Sequence, residues 1–262
     1  MNTIKNNLAI FQRGQENKQS IVFIHGFPFD HKMWDSQIEY FSKRFHCVCY
    51  DVRGLGESPA GDGQLTLESF VDDLFDLINA LSLIKPVLCG LSMGGYIALR
   101  AVERDENKFS GLILCDTKAE ADTNEGKINR ARAIKEINYN GVEKFAEDFV
   151  PRCFAEDFIN NHKEVYGAVL SRAKKSESIG VKGCLLAMAG RTDTTSYLSQ
   201  IKIPVLLLCG EFDQLTLPDV MMAVSDKIIH SEFVLIPKAG HVTAVENPKL
   251  FNSAVEKYLK NI

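Results

Sequence analysis

The sequence predicts an α/β fold: a mostly parallel central sheet with helices on both faces and a helical cap inserted between two strands. Three observations predict it. Short, continuous apolar runs alternate with longer stretches of helical periodicity, the pattern of parallel strands buried on both faces. Glycine-bearing turns close several of these runs. One long stretch, residues 118–199, carries helical faces and no clear buried strand. A chain of 262 residues is long enough to bury roughly three-quarters of its unfolded surface. We therefore expect a core built from residues 1–117 and 200–262, with 118–199 as the cap.

The elements follow in order. The run Ser20-Ile-Val-Phe-Ile-His25 ends at a glycine turn and reads as the first core strand. Met33, Trp34, Gln37, Ile38 and Phe41 trace one helical face behind Asp30, an N-cap residue type. His46–Tyr50 is the next strand, and a glycine-rich loop from Arg53 to Gln64 follows it. Leu67, Phe70, Val71, Leu74, Leu77, Ile78 and Leu81 recur at three- and four-residue steps, a strongly amphipathic helix. Strand Pro86–Gly90, helix Met93–Arg104 and strand Gly111–Cys115 complete the first half.

In the insertion, Ile128, Ala131, Ile134 and Ile137 form one face. Val142, Phe145, Ala146 and Phe149 form a second, and Val181, Leu185 and Met188 a third. A structureless loop of this length would be improbable in a compact domain. The alternation resumes with strand Val205–Cys209, a helix from about Pro218, and strand Glu232–Ile236. The last helix carries Phe251, Ala254, Val255, Tyr258 and Leu259 on one side, with Asn247 and Pro248 at its N-cap and first turn.

Composition narrows the function classes. With 30 basic and 34 acidic side chains the formal net charge is −4, which does not favour a nucleic-acid partner. No apolar run approaches the ~20 residues of a membrane span, and the N-terminal residues lack the apolar region of a signal peptide. The seven cysteines are odd in number, and Cys47, Cys49, Cys89, Cys115 and Cys209 lie in apolar runs. They read as buried free thiols of a reducing, cytoplasmic protein. No C-x-x-C pair and no H-E-x-x-H occurs, so neither a metal nor a cofactor is expected.

The sharpest signal is Gly90-Leu91-Ser92-Met93-Gly94, followed by Gly95, placed where a strand gives way to a helix. A nucleophile elbow needs this context. The turn lifts the serine hydroxyl above the strand end, and small neighbours leave it room. The helix N-terminus behind it favours negative charge. A serine hydroxyl needs a base, and the base needs an orienting group. After such an elbow the acid comes next in the chain and the histidine last. His241 follows Pro237-Lys-Ala-Gly240 directly after the last strand and is the expected base. His162 lies among polar cap residues, and His230 precedes a strand. Asp213, in Gly210-Glu-Phe-Asp213 past the Val205 strand, is the expected acid. Asp116, past the preceding strand, competes with it, and Glu211 is a weaker third candidate.

An oxyanion hole needs the N–H after the nucleophile, here Met93, and a second from the loop after the first core strand. That loop reads His25-Gly-Phe27-Pro28. Phe27 is the expected donor, because Pro28 has no N–H. One such donor lowers a barrier by ~3 kcal/mol. His25 reads as a brace for the loop. The stretch Asp51-Val-Arg-Gly-Leu-Gly-Glu-Ser58 lacks the lysine of a phosphate loop and reads as structural.

Taken together, HGFP at 25–28, D-x-R-G-x-G-x-S at 51–58, GLSMGG at 90–95, GEFD at 210–213 and AGH at 239–241 resemble the α/β-hydrolase family over nearly the whole chain. Within it, the chain looks most like small carboxylesterases and 3-oxoadipate enol-lactonase-like enzymes. The stretch Asp116–Asp122 adds to that similarity. Three departures separate it from other branches. Leu91 stands where ring-cleavage C–C hydrolases have Asn, Tyr96 where menaquinone-pathway lyases have Arg, and Ser92 where dehalogenases have Asp. The resemblance implies an enzyme that cleaves esters or lactones of small molecules, with the insertion closing over the pocket. Phe145, Phe149, Phe154, Phe158 and Tyr166 are candidate walls. A cofactor-free perhydrolase and a small-molecule receptor on the same fold are alternatives. The oligomeric state is not legible in the sequence.

Overall fold

The computed structural model describes residues 2–3 and 8–262. Its sheet has eight strands: β1 (Asn2–Thr3), β2 (Ala9–Arg13), β3 (Ser20–Ile24), β4 (His46–Tyr50), β5 (Val87–Leu91), β6 (Gly111–Cys115), β7 (Val205–Gly210) and β8 (Ser231–Ile236), in the order β1-β2-β4-β3-β5-β6-β7-β8. Strands β4, β3, β5, β6, β7 and β8 run parallel, while β2 is antiparallel to both β1 and β4. The six parallel strands are the six expected, each shifted by at most a residue or two. The antiparallel pair at the edge was not expected.

Alternate residues of each central strand enter different cores. Ile21 and Phe23 of β3 join one apolar cluster, and Val22 and Ile24 join the other. Both faces are therefore covered, which is why these strands read as unbroken apolar runs rather than as alternating ones. On one face lie α2 (Leu67–Ala80) and α3 (Met93–Asp105); on the other lie α1 (Asp35–Phe41) and, at the C-terminus, α10 (Pro248–Leu259). Helix α2 starts in a capping box between Thr66 and Ser69. The Asp30 side chain caps as expected, but the helix it starts is a 3-10 turn, His31–Trp34, that leads into α1.

Between β6 and β7 come four helices, α4 (Asn124–Phe149), α5 (Glu156–Asn161), α6 (Lys163–Lys174) and α7 (Ser178–Ala189), with no strand among the described residues. The two faces expected in α4 belong to one helix kinked at Gly141, whose φ of 82° only glycine adopts readily. The first of those faces is only partly internal: Ile137 is buried, but Ile128 is 51% exposed. Helices α8 (Pro218–Ser225) and α9 (Thr243–Glu246) complete the chain. No described helix is long and apolar enough to cross a membrane.

Candidate active site

The carboxyl ends of β3, β5, β6, β7 and β8 converge on one edge of the sheet, where ligands bind in open α/β sheets. Each end delivers one element of the site. From β5 comes Ser92, with φ 53° and ψ −112°, a combination that non-glycine residues avoid. Its N–H donates to Cys115 O at 2.9 Å, and Thr117 Oγ1 donates to Ser92 O at 2.8 Å. The turn closes only because its neighbours are glycines. A Cβ on Gly90 would lie 2.3 Å from Gly94 O, and one on Gly94 would lie 2.1 Å from Ile24 O.

From β3 comes the loop of Gly26 and Phe27. A Cβ on Gly26 would meet Ser92 Cβ at 3.4 Å, so this loop lies directly against the serine. Among the described residues no acceptor takes the Phe27 N–H, and none outside its own helix takes that of Met93. His25 is fully buried beneath the loop; its Nε2 accepts from Val52 N at 2.9 Å and its Nδ1 lies 2.9 Å from Gly26 O. Burial holds its pKa below the usual imidazole value, which keeps the brace neutral.

The ends of β7 and β8 bring Asp213 and His241 together. His241 Nδ1 lies 2.8 Å from Asp213 Oδ2, both residues being buried. Asp213 Oδ1 accepts from Leu215 N at 2.8 Å and Thr216 N at 3.0 Å. With two backbone N–H groups on Oδ1, Oδ2 is placed to accept from an Nδ1–H, the tautomer that leaves Nε2 with a free lone pair. The two loops touch through their glycines: a Cβ on Gly210 would lie 1.9 Å from Gly240 O.

The competing acids are placed elsewhere. Glu211 Oε2 accepts from Lys238 N at 3.0 Å. Asp116 is fully buried, its Oδ1 accepting from Gly210 N at 2.9 Å and its Oδ2 2.5 Å from Thr243 Oγ1. Burial, and then the Asp213 charge beside it, hold its carboxyl well above the ordinary carboxylate range. Asp116, Cys209 and Asp213 bring ligand-type atoms within 4.8 Å of one another. Both oxygens of Asp116 and of Asp213 already hydrogen-bond to protein groups, so the cluster does not read as a metal cage.

Between this edge and the insertion is a cavity of about 420 Å³, lined by Phe27, Phe145, Phe149, Leu185 and Leu215 on its apolar side and by Lys118, Arg130, Arg152, Asp122 and Asp148 as its charged groups. Phe27 packs against the Phe145 and Phe149 rings at 6.0 and 5.7 Å. Of the five aromatic walls expected, these two reach the cavity. Phe154 instead stacks on Phe158 and meets Tyr166 edge to face. His162 and His230 are exposed.

Residues 19–248 match the family model of the alpha/beta hydrolase fold. The chain belongs to that family. Among α/β-hydrolase relatives, 3-oxoadipate enol-lactonase 2 of Acinetobacter baylyi is 28% identical over 97% of this chain and 92% of its own length. A thermophilic esterase from Thermogutta terrifontis, solved with malate bound, is 36% identical with a TM-score of 0.93, covering 99% of this chain and 97% of that one. The enol-lactonase of Burkholderia xenovorans LB400 superposes at a TM-score of 0.92 with 24% identity over 99% of each chain, a likeness of fold.

Sequence reasoning passed over several residues of the site. Lys118 lies inside a stretch noted only for its similarity. Glu246 and Thr243, which follow His241, carry no motif of their own.

Proposed function

We propose that this chain is a carboxylic ester hydrolase that cleaves esters or lactones of small molecules through an acyl-enzyme on Ser92. The observation that carries the reading is the strained strand-to-helix turn that presents Ser92 at the same sheet edge as a buried, hydrogen-bonded His241–Asp213 pair. In the first step His241 Nε2 takes the Ser92 proton as Oγ attacks the carbonyl carbon. The Phe27 and Met93 N–H groups receive the negative charge that develops on the carbonyl oxygen. Collapse of the tetrahedral intermediate expels the alcohol, which takes the proton from His241. In a lactone that alcohol stays tethered to the acyl chain. Water, deprotonated by His241, then attacks the acyl-enzyme, and the acid leaves as Ser92 recovers its proton. Asp213 holds the imidazole in the right tautomer and stabilises its cation.

Residues 118–199 act as the cap that roofs the cavity. The cavity has a chemical bias. Asp122 is shared by Arg130 and by Arg191, whose Nη1 lies 2.6 Å from Asp122 Oδ1. Asp148 pairs with Lys144 at 2.7 Å. Lys118 and Arg152 have no acidic partner within ion-pair distance among the described residues, and burial lowers the pKa of Lys118. A half-buried lysine with no ion-pair partner favours a substrate bearing its own anionic group. The family resemblance supports the ester or lactone reading, since the relatives named above include an esterase and an enol-lactonase.

The test pairs a panel of p-nitrophenyl esters and lactones, with and without a free carboxylate, with fluorophosphonate labelling read by peptide mass spectrometry. Multiple turnovers that cease on labelling of Ser92 support the reading. Labelling of Ser92 without turnover of any substrate favours a receptor role. Neither turnover nor labelling sinks the assignment of Ser92.

A further inference from the structure

The backbone on both sides of His241 is tied to the insertion through one side chain. Glu246, the last residue of α9, is part-buried. Its Oε1 accepts from Gly240 N at 2.9 Å and from Val242 N at 3.1 Å. Its Oε2 accepts from Ala155 N at 2.8 Å, in the segment leading into α5. The same segment reaches the histidine directly, because His241 N donates to Cys153 O at 2.9 Å. There is no slack between the two backbones: a Cβ on Gly240 would lie 2.7 Å from Ala155 N and 3.2 Å from Cys153 O.

We infer that Glu246 is a positioning residue that clamps the His241 loop to residues 153–155, so that the alignment of the base depends on the seating of the insertion. The inference rests on His241 being the base. The chemistry favours a carboxylate at this point. Three N–H donors converge on it, and only an acceptor-only group with two oxygens satisfies all three. A Gln could accept from two of them through its one oxygen, but its NH₂ would face the third. The orientation that keeps two bonds leaves the Ala155 N–H unpaired, which cuts the link to the insertion and leaves the His241 loop tied. The ionisable groups facing Glu246 are His241, Asp116 and Cys153. The carboxylate therefore also supplies a negative charge that favours the imidazolium formed during proton transfer.

Two variants separate the link from the charge. Glu246→Gln cuts the link and removes the charge. Ala155→Pro removes the N–H on the insertion side, puts a ring carbon in its place, and leaves the charge. Ala155 has φ −64° and Phe154 has φ −119°, ψ 149°, backbone angles that proline and the residue before it adopt. With p-nitrophenyl acetate, both variants should lose kcat by up to about 100-fold with KM little changed, the scale of a misaligned catalytic group. Only Glu246→Gln should move the acid limb of kcat/KM to lower pH. Hydrogen-exchange mass spectrometry, which needs no turnover, should show faster exchange over residues 238–244 in both. Wild-type kcat and unchanged exchange over 238–244 in a folded Ala155→Pro protein would overturn the inference. So would a Glu246→Gln protein that only melts earlier. Should Ala155→Pro fail to fold, Glu246→Gln decides the question by the same three readouts. If the wild-type enzyme is inert to every ester, the hydrolase reading fails, and the exchange data still decide whether the two backbones are coupled.

Discussion

At the residue scale the site rests on two buried carboxyl groups with opposite duties. Asp213 faces His241 and two backbone donors, an environment for an anion. Asp116 is buried beside that anion, and burial together with that charge holds its carboxyl well above the ordinary carboxylate range. Asp213→Asn should therefore lower kcat by about 10⁴, because an amide can hold the histidine in the wrong tautomer. Asp116→Asn should leave steady-state kinetics within a few-fold of wild type; the reverse pattern would move the acid to Asp116. The same pair makes a prediction about stability. A carboxyl group whose folded pKa lies above its unfolded value opposes folding as the pH rises past the unfolded value, and the cost grows until the folded pKa is reached. An asparagine at 116 resembles the protonated acid: its oxygen can accept from Gly210 N, and its amide can donate to Thr243 Oγ1 once that hydroxyl, which donates to Asp116 Oδ2, rotates. It also tolerates the left-handed backbone there, φ 48°. Denaturant melts across pH 4–8 should show that Asp116→Asn gains stability relative to wild type as the pH rises. A gap that closes with pH would contradict a raised carboxyl at 116.

Elements differ in how legibly the sequence announces them. The six parallel strands are legible because burial on both faces leaves continuous apolar runs ending at turns. The edge strands β1 and β2 are not, since Phe11, Gln12 and Arg13 mix apolar and polar residues on a half-covered edge. The elbow and the His241 loop are legible because their chemistry demands particular residues at fixed points of the chain. The Glu246 clamp and the cavity cations are not, because their partners lie far away in sequence and only the fold joins them. In the insertion, periodicity locates helices but not which side packs, hence the exposed Ile128. Glycines decide how the insertion docks. A Cβ on Gly180, in α7, would lie 1.6 Å from Gly54 O. Helix propensity alone would make Gly180→Ala stabilising by up to about 1 kcal/mol. The clash is with backbone that cannot rotate away, so it wins. Thermal denaturation should show a lower Tm for Gly180→Ala, and a higher one would mean that the insertion packs less tightly than this against the Asp51–Ser58 loop.

At the scale of the whole molecule, a net charge of −4 coexists with a cavity where Lys118, Arg130 and Arg152 stand beside Asp122 and Asp148. The bulk balance and the local field are separate properties, and only the local one bears on which substrates bind. Lys118→Met keeps much of the side chain's bulk and removes its charge. For an ester carrying a free carboxylate it should raise KM by about 10- to 100-fold, the worth of one charge-assisted hydrogen bond. The matched neutral ester should be little affected. Equal effects on both would assign Lys118 to packing.

The central claim is that Ser92 is the nucleophile of an acyl-transfer enzyme. Turnover of p-nitrophenyl acetate by purified wild type beside Ser92→Ala tests it most directly, with circular dichroism confirming that the variant is folded. The wild type should make many turnovers per chain, and kcat should fall by about 10⁴–10⁶ in the variant. A folded Ser92→Ala protein with wild-type kcat would contradict it.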